Sequence, residues 1–511
     1  MSRMPFYNRP PMRRYFPDPH AFRQAAQHAR IIPVYRQLLA DRLTPVTAFS
    51  ALDAGAHAFL LESVVGNEKI GRYSFIGTAP SAVYEVKDRH ARLEGPAPAA
   101  CESFTTADPL ADLQRLLGHR SYHRDANLPA FTGGLVGFAG YDTIRYYEAE
   151  SLPHPPADDR GIADLQFALY ESLVIFDHVD KTIKVVANAD LSNGDVDTAY
   201  ADACRRVDDL VARLESAVSH GTPAPDIDTR GPLTLDYASN MTRQQFEAAV
   251  EIGKQYIRAG DIFQFVPSQR LRVHSQADPF DVYRALRVIN PSPFMFYLKA
   301  PACTLIGASP EILCRVQDGV ITSRPLAGTR RRGRTDAEDQ ALERELLSDP
   351  KERAEHVMLV DLHRNDVGRV AKIGSVKISD VMSVERYSHV MHITTNVTGL
   401  LREGMTALDA LRVSIPVGTV SGAPKIRAMQ IIDELEPTRR GPYGGAVGYL
   451  DFAGNMDTCI ALRTIVWTNG TYDVQAGAGV VADSVPASEY EETLSKATAL
   501  LKAVDIAQRG F

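Results

Sequence analysis

The sequence predicts a fold that mixes α-helices with many short β-strands, and three observations predict it. Short apolar runs recur along the chain between breaks rich in Gly, Pro and Asp, as strands do. Helix starts at Thr242 and Ser488 carry capping signals ahead of apolar residues at helical spacing. The composition, 45% apolar and 23% charged over 511 residues, is that of an ordinary globular protein with room for two or three average domains or one large interleaved unit. Periodicity establishes the mixture of elements but not the arrangement of their layers.

Taken in order, residues 1–30 are polar, rich in Arg and Pro and without an apolar signal core, and they read as an N-terminal extension. A first block covers residues 31–216, with strand runs at 81–87, 131–138, 165–176 and 183–187 and a helix near 197–216. Residues 217–235 turn rich in Pro, Gly, Asp and Thr and read as a linker. A second block, 236–505, opens with the capping box of Thr242 and Gln245. The stripe of Phe246, Ala249, Val250, Gly253 and Ile257 then faces a core, and Gly260 ends the helix. Strand runs follow at 262–266, 304–308 and 312–316. Near the C-terminus, Gln475-Ala-Gly-Ala-Gly-Val-Val481 runs into Pro486-Ala-Ser-Glu-Tyr-Glu-Glu-Thr-Leu-Ser-Lys496. There Ser488 and Glu491 read as a capping box, and Leu494, Ala497, Leu500 and Leu501 as a buried stripe.

Charge and cysteine usage narrow the function. A net charge of −7 without a long basic run argues against nucleic acid. The five cysteines are scattered, odd in number and without CxxC spacing, so neither zinc nor a disulfide framework is implied and a reducing cytoplasm fits best. No apolar run approaches the ~18 residues of a membrane span.

Several strings resemble known sites without matching them. Gly477-x-Gly479-x-x-Ala482 lacks the βαβ setting and acidic partner of a dinucleotide fingerprint. Pro424 and the spacing break the Walker pattern in Gly418-Thr-Val-Ser-Gly-Ala-Pro-Lys425, although such a loop can still cradle an anion with backbone N–H groups. Neither Gly-x-Ser-x-Gly nor HExxH occurs. The C-terminal helix places Glu489, Glu492 and Lys496 on one face, directly after glycines whose backbone can approach a ligand closely. Upstream, Glu352 and Glu355 are three residues apart in a helix whose buried side is expected to hold Val357, Leu359 and Val360. Taken alone, such glutamates are most simply solvated ion pairs. Two sparse acidic faces also suit Mg²⁺, which prefers one or two carboxylates completed by ligand oxygens and water.

Ile306-Gly-Ala-Ser-Pro-Glu311, Ser323-Arg-Pro-Leu-Ala-Gly-Thr329, Glu352-x-x-Glu355-His356, Asp361-Leu-His-Arg-Asn-Asp366, the 416–425 loop, Tyr443-Gly-Gly-Ala-Val-Gly-Tyr449 and the C-terminal Glu/Lys helix occur in this order. In order and spacing they resemble the chorismate-utilising enzymes, and within them the anthranilate synthase component I branch. The resemblance covers about residues 31–505. It implies an α+β fold of two large, mostly antiparallel sheets packed as a sandwich with helices outside. It also implies conversion of chorismate and ammonia to anthranilate and pyruvate, with Mg²⁺ as cofactor, at the entry to tryptophan synthesis. By the same resemblance Glu355 and Glu492 hold the metal, with Glu352 and Glu489 close by. Glu311 is the proton donor, and His392 is tied to pyruvate elimination. Gly328, Thr329, Tyr449, Arg463, Lys496 and the backbone of Gly477, Ala478 and Gly479 meet the substrate.

Two positions separate this branch from its relatives. Where the isochorismate and salicylate branch carries a lysine that activates water, this chain has Gln264. Where the aminodeoxychorismate branch often carries a nucleophilic lysine, it has Ala327. Both point to direct amination by ammonia. With no Gly-x-Cys-x-Gly elbow for a glutaminase, the resemblance implies a separate glutamine amidotransferase subunit, in a heterotetramer or homodimer. The family's tryptophan-feedback pocket is expected at Glu62, Ser63, Asn290, Pro291, Ser292, Pro293 and Met295, with Gly71-Arg-Tyr-Ser74 alongside.

Overall fold

The strand-forming runs pair into two large antiparallel sheets, seen in a computed structural model that describes all residues except 1–13, 65–70, 96–100, 119, 193, 219–225 and 388–389. The first sheet has eleven strands, from Ile31–Leu39 at one edge to Ala238–Ser239 at the other. The second has twelve, with Cys101–Thr105 at one edge and Leu326–Arg331 beside Val390–Leu400 at the other. The two sequence blocks interleave in both. Ala58–Glu62 pairs with Phe294–Lys299 in the first sheet, and Gly134–Ala139 pairs with Ala446–Asp451 in the second.

Alternation along the strands explains the layers. Phe59 joins Phe296, Val136, Phe138, Val447 and Cys459 in a core between the two sheets, whereas the next residue, Leu60, faces a core under helices. With both faces covered, the strands carry continuous apolar runs rather than clean alternation. Val196–Val218, Pro279–Ile289 and Pro486–Arg509 cover the outer face of the first sheet, and Pro109–Leu117, Pro350–Val370 and Ala407–Ser414 that of the second. The architecture is therefore the expected sandwich with helices outside. No helix among the described residues is long and apolar enough to cross a membrane.

Local readings hold to different degrees. Thr242 and Gln245 form both hydrogen bonds of the capping box, and Gly260 closes that helix in the left-handed region at φ 84°. The run at 165–176 divides into two strands, Leu165–Tyr170 and Ser172–Asp177. The N-terminal extension is folded where it is described: Pro19–Ala25 is a helix capped by Asp18, and Phe22 is fully buried. The C-terminal helix starts one turn earlier than its expected cap, because Pro486 supplies the first helical position. Val485 is its N-cap and makes no side-chain cap, so Ser488 and Glu491 form no box. On Pro350–Val370, Leu359 is buried and Val360 half-buried against the core as expected, but Val357 is 55% exposed, and His356, His363 and Val367 complete the buried side.

Candidate active site

Helix Pro350–Val370 and helix Pro486–Arg509 bring their acidic faces together beside the Gly/Ala run. A Cβ placed on Gly479 would lie 2.7 Å from Gln264 Nε2 and 4.0 Å from Glu355 Oε1, so the backbone here runs close to both side chains and any larger residue would displace the Gln264 amide. Gly328, at φ +67°, is enforced the same way: a Cβ there would sit 3.1 Å from Glu352 Oε2. Burial raises the Glu355 carboxyl, and the charges of Glu352 and Glu492 raise it further, against Lys496 and Lys351. Glu489 is also raised, first by burial, and feels the same Glu492, Lys351 and Lys496. Lys496 Nζ lies 2.7 Å from Glu492 and donates to the Gly477 carbonyl at 3.0 Å. Glu352 accepts from Arg330 Nη1 at 3.0 Å.

Glu311 stands apart from this acidic cluster. It is 2% exposed, and burial pushes its carboxyl up to about 8, against hydrogen bonds from Thr419 and the Leu326 backbone. Thr419 Oγ1 donates to Glu311 Oε1 at 3.1 Å. The 418–425 loop, expected as an anion cradle, thus holds this carboxyl, and its N–H groups at Val420 and Ser421 turn inward to Val417 and Gly418. Lys425 is committed to Asp366 at 2.9 Å.

His392 lies on Val390–Leu400, opposite Thr329 across the sheet edge, where a bulge interrupts the register between Ala327 and Thr329. Its Nδ1 is 3.0 Å from both the Gly328 carbonyl and Thr329 Oγ1. The carbonyl can only accept, so Nδ1 carries the proton and Nε2 offers a lone pair. Burial lowers His392 to about 4, which keeps it neutral. Arg463 acts on the same histidine and is itself lowered, chiefly by desolvation. Among the described residues no carboxylate lies within ion-pair distance of its guanidinium, so a half-buried cation is placed to meet an anion.

The Gly/Ala run offers fewer donors than expected. Ala478 gives its N–H to the Pro267 carbonyl at 3.1 Å, and the Gly477 backbone is hydrogen-bonded to the Tyr443 hydroxyl. Gly479 is left with an N–H that has no protein acceptor among the described residues. Among them no three acidic, His or Cys side chains already stand at metal-binding distance. Glu355 and Glu492 are the carboxylates that could hold Mg²⁺ if ligand oxygens and water completed its shell, and Lys496 is the cation that now partners Glu492.

The sequence profile of the family described as chorismate binding enzyme matches residues 57–502. The chain is similar to anthranilate synthase component 1 of Acetivibrio thermocellus, 46% identical over 507 residues, covering 96% of this chain and 99% of that one. The chain belongs to the anthranilate synthase component 1 family of chorismate-binding enzymes. It is likewise 47% identical to the Pseudomonas aeruginosa member, over 95% of this chain and 98% of that one. The crystal structure of anthranilate synthase component I from Streptococcus pneumoniae superposes with a TM-score of 0.75 at 38% identity, covering 91% of this chain and 99% of that one.

In this member of the chorismate-binding family, Tyr449 is not at the acidic site, which corrects its expected role. It stacks on Phe131, with centroids 4.0 Å apart, and lines a separate cavity of about 540 Å³ between the sheets. Its strand residue points into the inter-sheet core, whereas Tyr443, six residues earlier, reaches Gly477. Glu62, Ser63, Pro293 and Met295 line that same cavity, with Arg72, Asp457 and Cys459. Asn290, Pro291 and Ser292 form the turn leading to it, where Ser292 accepts the Val64 N–H. The Glu62 carboxylate is already taken by Tyr283 at 2.6 Å and Arg287 at 2.9 Å. Among the described residues, the unpaired polar atoms at the cavity are Ser63 Oγ and Asp457 Oδ1, the other Asp457 oxygen being paired with Arg315 at 2.8 Å. Thr419, Tyr443, Arg330 and Asp457 were not singled out by sequence. The first three sit inside or beside the matched motifs, and that adjacency was the only available signal.

Proposed function

We propose that the chain aminates chorismate with ammonia and eliminates pyruvate to give anthranilate, as the component 1 of an anthranilate synthase, on the path to tryptophan. The observation that carries this reading is the combination of a buried Glu311 whose carboxyl is pushed up to about 8, a half-buried Arg463 with no carboxylate partner among the described residues, and Glu355 beside Glu492 and the Gly479 backbone. Chorismate carries two carboxylates. Arg463, Lys496 and the Gly479 N–H are donors for them. Mg²⁺ held by Glu355 and Glu492 would bind the ring carboxylate and draw electron density from the ring.

Glu311, neutral at pH 7, donates its proton to the 4-hydroxyl as that group leaves as water and ammonia adds to ring carbon 2. In the second step the hydrogen on carbon 2 is lost, the bond to the enolpyruvyl oxygen breaks, the ring becomes aromatic, and the enolate takes up a proton as pyruvate. The Nε2 lone pair of neutral His392 suits a proton acceptor here. Gln264 and Ala327 place neither a base nor a nucleophile where a lysine would redirect the chemistry to water or to the enzyme. Ammonia is supplied by a separate glutamine amidotransferase subunit, in keeping with the designation component 1 of the relatives.

Tryptophan inhibits by binding the 540 Å³ cavity, its ammonium at Ser63 Oγ and Asp457 Oδ1 and its ring against Tyr449, Met295 and Pro293. The protein works in a reducing cytoplasm, consistent with five free cysteines. The test is product analysis with chorismate, Mg²⁺ and ammonium at alkaline pH. Anthranilate supports the reading; isochorismate, salicylate or an aminodeoxy product moves the chain to a sister reaction.

A further inference from the structure

We propose that Arg440 is a positioning residue that locks three segments of the site together and so sets the protonation of Glu311. It is 2% exposed and sits in the turn after helix Lys425–Leu435. Its Nη1 donates to the Val420 carbonyl at 2.6 Å, and its Nη2 to the Val266 carbonyl at 2.7 Å. Nε and Nη2 pair with Glu436 at 2.9 and 2.5 Å. The guanidinium lies over Tyr443, 5.6 Å from the ring centroid, and over Tyr141 at 4.6 Å. Glu436 in turn accepts from the Ser268 N–H at 2.7 Å and its hydroxyl at 2.8 Å.

Three of these contacts end near a functional group. Val420 follows Thr419, which donates to Glu311. Val266 lies two residues beyond Gln264. Tyr443 is bonded to the Gly477 backbone, where Lys496 docks. No ligand is needed to account for Arg440, and it reaches no substrate-facing surface. Its planar fork serves separate acceptors at fixed angles, which a lysine does not reproduce. Two backbone carbonyls left without that donor inside the protein would take up water or shift. The Thr419 loop then loosens, water reaches Glu311, and its carboxyl falls back toward the ordinary range. Among the described residues, the ionisable group whose charge interacts with Glu311 is Tyr387, held neutral by burial that raises its phenol.

The inference rests on the proposed role of Glu311, so its test has a readout independent of turnover. The chain is labelled with δ-¹³C-glutamate, the Glu311 signal is assigned by its loss in Glu311→Gln, and the signal is titrated in wild type, Arg440→Lys and Glu436→Gln. The expected result is a Glu311 carboxyl titrating near 8 in wild type and at least about one pH unit lower in Arg440→Lys, with a smaller shift for Glu436→Gln. Circular dichroism should stay close to wild type. For turnover, kcat should fall on the order of 10²-fold with KM for chorismate nearly unchanged. Loss of thermal stability with an unshifted Glu311 titration in both variants would make Arg440 merely structural and overturn the proposal. If Arg440→Lys fails to fold, Glu436→Gln decides. If wild type makes no anthranilate, the proposed function fails while the titration still decides the positioning.

Discussion

The Ile460 N–H donates to the Glu311 carbonyl at 3.0 Å, and the residue before it, Cys459, lines the 540 Å³ cavity beside Ser63. Ser309 Oγ also bonds the Ile460 carbonyl at 2.6 Å. One strand, Met456–Ile460, therefore touches both the second cavity and the backbone of the buried acid. A ligand that favours one setting of that strand biases the other site by its differential affinity.

Filling the cavity tests the tryptophan reading. Ser63→Phe adds a phenyl ring to the wall of the cavity, so tryptophan inhibition should weaken at least about tenfold. The check is anthranilate formation against tryptophan concentration for the variant and wild type.

Glu311 sets an alkaline limit. Its carboxyl is raised to about 8, so the proton-donating form is present at neutral pH and is lost as pH rises through that value. In a pH series, kcat should fall above about 8, and Glu311→Gln should lower it on the order of 10²–10⁴-fold.

Arg463 is expected to serve binding at the expense of stability. A desolvated guanidinium without a carboxylate partner is unfavourable in the free protein. Arg463→Met should raise the thermal midpoint in the absence of substrate while raising KM for chorismate about 10- to 100-fold. Calorimetry and initial rates measure the two effects separately.

Acid should destabilise the fold through two buried histidines on Pro350–Val370. His356 bonds Thr395 Oγ1 at 2.6 Å, and His363 is beside Ser323. Burial lowers them to about 4 and about 3. Because the folded values lie below the unfolded one, the unfolded chain takes up protons first, and stability is lost as pH falls below about 6.5. The loss at pH 5 is on the order of 2 kcal/mol for each histidine that stays neutral, measurable by denaturant titration at pH 7.5 and 5.

Local chemistry was legible in the sequence where one element suffices. The Thr242/Gln245 box, the Gly260 terminus and the Glu352/Glu355 pairing each depend on residues within a few positions. The sheet order was not: Ala58–Glu62 meets Phe294–Lys299 across more than two hundred residues, a pairing that no periodicity encodes. Tyr443 and Tyr449 show the same limit at the site. Both belong to one Gly-rich motif, yet the strand starting at Ala446 carries Tyr449 into the inter-sheet layer and leaves Tyr443 at the turn. Val357 reads as buried from its spacing yet is exposed, because an apolar residue does not reveal which face the acidic cluster leaves open.

Anthranilate fluorescence measured during titration with Mg²⁺, for wild type, Glu355→Gln and Glu492→Gln, tests the metal-assisted site at the centre of this account. Wild type should require the metal and lose activity with EDTA, and each variant should stay at least about 10²-fold slower at saturating Mg²⁺ while remaining folded. Near-normal turnover by either variant, or wild-type turnover unaffected by EDTA, would contradict it.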